Sequence, residues 1–172
     1  GEALQAERAK EQAALLVAEG VDLSGAVERG TPPGFLAPIF ADIEIAPTGP
    51  HSCTLVYLHG RAFTGSYYAK HSEFFKAPQS SGLRVVLPTA SPRASGRLLT
   101  EWFTDWPVTS DGLKLPRERL LKLLRREVQR LGGRSDRVFL GGASQGCILG
   151  LDLYVRVEKP LGGFCGVIGS WP

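Results

Sequence analysis

Four short apolar runs set the limits on what this chain can fold into. They are Thr54-Leu55-Val56-Tyr57-Leu58, Val85-Val86-Leu87, Val138-Phe139-Leu140 and Gly163-Phe164-Cys165-Gly166-Val167-Ile168. Each is too continuous for a strand with one wet face, where apolar and polar residues alternate. Such runs suit strands buried on both faces, as parallel strands covered by helices are. Between the second and third lies a helical pattern from about Pro116 to Leu131. Pro116 suits a first turn, Leu120, Leu121, Leu123, Leu124, Val128 and Leu131 make the apolar stripe, and Gly132-Gly133 end it. Strand, helix, strand, helix, strand with short connections predicts an α/β fold, a mostly parallel sheet flanked by helices with right-handed crossovers. Upstream, Ile39 to Ala46 alternates apolar and polar and predicts a half-buried strand, closed by a turn at Pro47 to Pro50.

Residues 2–19 are rich in Ala, Glu, Leu and Gln and predict a solvated or loosely docked helix stopped at Gly20. A Pro/Gly-rich connector follows at 30–38. The expected division is therefore a helical extension and connector at 1–38 and an α/β domain at 39–172. The chain begins with Gly1 and stops at Trp171-Pro172 just after an apolar run, so both ends are expected to be cuts through a longer polypeptide.

Composition narrows the function classes. With 43% hydrophobic and 22% charged residues, 172 residues can bury a globular core. Twenty basic and 17 acidic side chains leave a net charge of only +3, too balanced to point to nucleic acid. No stretch reaches the roughly 18 apolar residues of a membrane span. Cys53, Cys147 and Cys165 are odd in number and lack metal-ligand spacing. No disulfide scaffold or zinc site is expected, and the thiols fit a reducing, cytoplasmic compartment. The 116–131 helix also carries Arg117, Arg119, Lys122, Arg125, Arg126 and Arg130. Glu118 and Glu127 interrupt them and no aromatics interleave, so a solvated outer face is expected, with transient contact to a membrane surface left open.

The stretch Val138 to Leu149 carries the chemistry. Gly142-Ala143-Ser144-Gln145-Gly146 follows a buried strand without a spacer and opens a helix running to about Arg156. The bare Gly-x-Ser-x-Gly pattern is weak, but in this context it is what a nucleophile elbow requires. Small residues on either side let strand and helix approach, and the serine projects beyond the strand end. The N–H of Gln145, at a helix start, points toward developing negative charge. A second oxyanion donor is expected in the loop after the earlier strand, at Leu58-His59-Gly60-Arg61, and the N–H of Arg61 is the candidate. His59 precedes the serine and ends that strand, so a structural hydrogen-bonding role is expected rather than general-base catalysis. His51 and His71 have no motif around them and are expected at the surface.

From about Phe40 to Pro172 the chain resembles the acyl-protein thioesterase/carboxylesterase (lysophospholipase-like) branch of the α/β-hydrolases. The resemblance rests on Leu58-His59-Gly60, Leu87-Pro88-Thr89-Ala90 with Pro92-Arg93, and Trp102-Phe103 with Asp105. It continues in Arg137 to Gly146 and closes with Leu161-Gly162-Gly163 and Gly169-Ser170-Trp171-Pro172. It implies a serine hydrolase of carboxylic esters or thioesters acting through an acyl-enzyme, without metal or organic cofactor, on lipidated proteins, lysolipids or small esters. Ser144 would be the catalytic nucleophile, Arg61 and Gln145 the backbone oxyanion donors, and Trp102 and Phe103 would lie near the acyl-binding region, with core packing the equal alternative for either ring.

Three positions depart from the family pattern. Ala62 stands where the family usually has glycine, which implies backbone strain if the site needs positive φ. Cys147 replaces another glycine and is expected to be a small buried thiol rather than a rival nucleophile. The triad order in this fold is Ser, then Asp or Glu, then His, yet no histidine follows Ser144 and Asp152 lies inside the elbow helix. Missing later strands would leave the strand near Phe164 as an apolar open edge. Two other readings stay open: a non-catalytic hydrolase-like module that holds an acyl chain or a partner protein, and a small-ester or peptide-processing hydrolase.

Overall fold

The computed structural model describes residues 41–75, 82–91, 100–104 and 109–167. The helix expected at 2–19 and the connector at 30–38 lie outside the described residues. The elements in chain order are β1 (Ile43–Ile45), β2 (Cys53–Leu58), α1 (Gly65–His71), β3 (Leu83–Leu87), α2 (Lys114–Arg130), β4 (Val138–Ala143), α3 (Gln145–Tyr154) and β5 (Gly163–Val167). Short 3-10 turns occupy Glu73–Phe75 and Ser135–Arg137.

The five strands form one sheet in the order β1-β3-β2-β4-β5. β2 pairs in parallel with β3 and β4, and β4 pairs in parallel with β5. β1 alone runs antiparallel, with Glu44 opposite Val86. The continuous apolar runs follow from this layering. Val56 and Leu58 face the main core with Val86, Val138 and Leu140, against α2 and α3. Leu55, Val85 and Leu87 face the other side, where Phe75 and the α1 residues Tyr68 and Ala69 cover them. Each such fully buried Val or Leu stabilises the fold by roughly 1.5–3 kcal/mol relative to an exposed position. Among the described residues β5 is the sheet's far edge, and there Cys165, Gly166 and Val167 are exposed, with Val167 at 62%.

Helix α2 starts two residues before Pro116, which therefore sits within the first turn, where the missing N–H has no helical acceptor in any case. Leu120, Leu123 and Leu124 are buried, while Gly132 (φ 65°) and Gly133 (φ 85°) reverse the chain after it. Its basic residues are more than a solvated face. Arg117 binds Asp152 of α3, Arg119 binds Asp42, and Arg126 reaches Glu44 of β1. Glu127, expected among the solvated residues, is fully buried instead. Arg84 Nε at 3.1 Å, Arg126 Nε at 3.2 Å and Arg130 Nε at 3.5 Å surround it. The helix is thereby clamped to β1, β3 and α3 by charge as well as by its leucines.

Candidate active site

β4 runs into α3 through a single residue, Ser144, whose backbone sits at φ 51°, ψ −118°. That left-handed conformation is unfavourable for a residue with a Cβ, and persists only where the surroundings enforce it. Here the enforcement comes from both sides. Ser144 N–H donates to Val167 O of β5 (2.8 Å), and Ser144 O accepts from Ile148 N–H (3.1 Å). The flanking glycine explains how tightly the turn can close. A Cβ on Gly146 would lie 2.3 Å from Leu58 O and 2.6 Å from His59 O, so only glycine lets α3 rest on the end of β2. The serine itself is exposed. A strand-to-helix turn carrying an exposed, conformationally forced serine is the geometry of a nucleophile elbow.

The loop after β2 lies against this turn. A Cβ on Gly60 would touch Ser144 Cβ at 3.6 Å and Ala143 O at 3.5 Å. Two residues on, Ala62 is 2% exposed with φ 66°, the strained position anticipated for the residue that replaces glycine. Its conformation is held by Ala62 N–H donating to Thr100 O at 2.8 Å. Thr64 then caps α1, its Oγ1 accepting from Tyr67 N–H at 3.1 Å. The loop that continues from Gly60 into Arg61 thus lies beside the turn that carries Ser144 and leads into Gln145.

His59 lies beneath them, 1% exposed. Its Nε2 accepts from Ala90 N–H at 2.9 Å, which leaves the proton on Nδ1, donating to Gly60 O at 2.7 Å. Its ring packs on Trp102 with centroids 4.8 Å apart. Burial pushes the imidazole down to about 4, so it is neutral at pH 7 with both nitrogens occupied. This is the structural role expected for it, and it leaves no nitrogen for a serine hydroxyl. His51 is half-buried and bonded to Thr54 Oγ1 at 2.8 Å, while His71 is exposed with its ring against Tyr67. Asp152 is held between Arg117 and Arg156, both at 2.8 Å, which lowers its carboxyl against the opposing effect of burial.

Trp102 and Phe103 are 4% and 2% exposed and belong to the main core. Their polar groups link the loops: Trp102 Nε1–H donates to His59 O (2.7 Å), Trp102 N–H to Gln145 Oε1 (3.1 Å), and Gln145 Nε2–H to Phe103 O (2.8 Å). Cys147 is a buried thiol, as expected. Burial, with Cys165 nearby, raises it further from the thiolate, and a Cβ on Gly166 would lie 2.5 Å from its sulfur. Glu101, 8% exposed and 3.0 Å from Arg61 Nε, was not evident from sequence, where a lone carboxylate before Trp102 carries no pattern. Among the described residues no group of three or more His, Cys, Asp or Glu could hold a metal ion, and no helix is long and apolar enough to cross a membrane.

Comparison with known proteins adds an independent line. The sequence pattern of the family described as Phospholipase/Carboxylesterase matches residues 42–172. The chain is 24% identical over 133 residues to acyl-protein thioesterase 1 homolog 1 of Dictyostelium discoideum, covering 71% of this chain and 59% of that protein. It is 24% identical over 147 residues to acyl-protein thioesterase 1 of Yarrowia lipolytica, covering 78% and 64%. The chain thus spans about three fifths of the length of these relatives. Among solved structures, Arabidopsis thaliana SOBER1 superposes with a TM-score of 0.56 at 22% identity, over 65% of this chain and 59% of that one, a likeness of fold.

Proposed function

Because this chain belongs to the Phospholipase/Carboxylesterase family, we propose that it forms the nucleophile half of a serine hydrolase that cleaves carboxylic esters or thioesters through an acyl-enzyme. The observation that carries the reading is Ser144 itself, exposed and held at φ 51° on a sharp β4-to-α3 turn. Ser144 Oγ attacks the acyl carbon. The backbone N–H groups of Arg61 and Gln145 receive the oxyanion, where fixed donors cost no reorganisation as charge develops. Trp102 and Phe103 back the acyl side of the site from within the core. The alcohol or thiol leaves with a proton, and water then releases the acid.

A serine hydroxyl needs a general base to be a strong nucleophile. His59 is occupied, and the remaining histidines lie at 51 and 71, before the serine. In this fold the Asp and His partners come after the serine, and the proposed activity belongs to the protein in which they do. Relatives named acyl-protein thioesterases favour an acyl thioester as substrate; a lysolipid substrate and a meeting at a membrane surface in the cytoplasm belong to the same proposal. The test is hydrolysis of acyl esters and thioesters by the native protein and its Ser144→Ala variant. The expected loss is at least about 10³-fold; parental turnover by the variant would refute the assignment.

A further inference from the structure

The short segment Thr100–Phe103 grips both loops of the site at once. On one side Thr100 O accepts from Ala62 N–H at 2.8 Å, Thr100 Oγ1 donates to Phe63 O, and the Glu101 carboxylate lies 3.0 Å from Arg61 Nε. On the other side Trp102 N–H and Phe103 O bind the two ends of the Gln145 side-chain amide. All four residues are less than a tenth exposed. A carboxylate buried to this degree is costly unless it is paired, and Glu101 is paired with the residue whose N–H is the proposed first oxyanion donor. The Gln145 amide, likewise, is attached to the residue whose N–H is the second. The Arg61 loop and the start of α3, far apart in sequence, are therefore referenced to one frame. This matters chemically because donors contribute to catalysis only when both aim at the same oxygen.

We propose that Glu101 and the side chain of Gln145 are positioning residues, which lock the N–H groups of Arg61 and Gln145 into register through the segment Thr100–Phe103. The inference rests on the reading of Ser144 as nucleophile with those two donors. Neither side chain touches the substrate. Glu101 acts through Arg61 and the strained Ala62, and the Gln145 amide acts through the orientation of its own peptide at the start of α3.

The test uses the native protein with Glu101→Gln, which keeps shape and removes charge, and Gln145→Leu, which removes both hydrogen bonds of the side-chain amide. Hydrolysis of a p-nitrophenyl acyl ester and the rate of capture by a fluorophosphonate are measured for each. The expected result is a fall in kcat of about ten- to a hundredfold with KM unchanged within about twofold, and a parallel fall in capture rate. The double variant should lose far less than the product of the single losses, because both act on one frame. Leu153→Ala, a core change on the buried face of α3 near its C-terminal end, serves as the stability control and should leave kcat within about twofold below its unfolding transition. A kcat loss no greater than that control's, or fully multiplicative single losses, would overturn the inference. Ser144→Ala separates the two levels. If it still captures the phosphonate, the reading of the site fails; if it does not, while Glu101→Gln and Gln145→Leu turn over at the parental rate, only the positioning role fails.

Discussion

Replacing His59 by glutamine should flatten the acid side of the stability profile. In the unfolded chain this imidazole titrates near the ordinary 6.5, whereas in the fold it is pushed down to about 4 by burial. Between those values the unfolded state binds the additional proton, so acid favours unfolding. The contribution is fully present above pH 6.5 and is lost as the pH falls toward 4. A gap of about two and a half pH units, at about 1.4 kcal/mol each, corresponds to about 3.5 kcal/mol. Glutamine retains one donor and one acceptor for Gly60 O and Ala90 N–H but does not titrate. Urea unfolding at pH 7.5, 6.5, 5.5 and 4.5 measures the difference. The paired carboxylates, such as Asp152 between its two arginines, titrate lower and act alike in both proteins, so they cancel. A constant offset from imperfect hydrogen bonding is expected; the shape of the difference with pH is the readout. Parallel profiles for the two proteins between pH 6.5 and 4.5 would refute the assignment of His59 as a neutral structural residue.

Two stability predictions concern the elements that frame the site. Glu127→Ala removes the buried carboxylate shared by Arg84, Arg126 and Arg130. Breaking a buried pair costs about 3–5 kcal/mol, and the lower end is expected because Arg84 keeps Glu44; a loss under about 1 kcal/mol in urea unfolding would contradict the network. Gly146→Ala places a methyl 2.3 Å from a backbone carbonyl of β2, so α3 must shift, at a cost of about 1–3 kcal/mol or more. Its phosphonate capture at Ser144 should fall as well, and parental stability together with parental capture would show that the close approach does not shape the elbow.

Much of the fold was legible because burial on both faces leaves a direct trace in sequence. The runs at 54–58, 85–87, 138–140 and 163–168 correspond to β2, β3, β4 and β5, and the glycine pattern around Ser144 marks the one turn where helix and strand must nearly touch. α1 left no comparable trace, since seven residues with adjacent tyrosines show no helical period; what starts it is the Thr64 cap. Glu127 was misjudged because the reach of Arg84, 43 residues away, is a tertiary fact, and an acidic residue in a basic helix face suggests solvent. Glu101 escaped for the same reason. Ala62 was legible only as a departure from a family glycine, and its φ of 66° shows that the loop keeps the glycine conformation with a side chain in place.

The central claim is that Ser144 forms the covalent bond to the acyl group, and the mass of one peptide decides it. The native protein is treated with a fluorophosphonate, and separately with a slow-leaving acyl ester quenched in acid, then digested and analysed by mass spectrometry. The account predicts one adduct per chain on the peptide containing Ser144, absent from the Ser144→Ala variant and from protein unfolded before treatment. A native protein that hydrolyses acyl esters while Ser144 stays unmodified, or that carries the adduct on another residue, would contradict it.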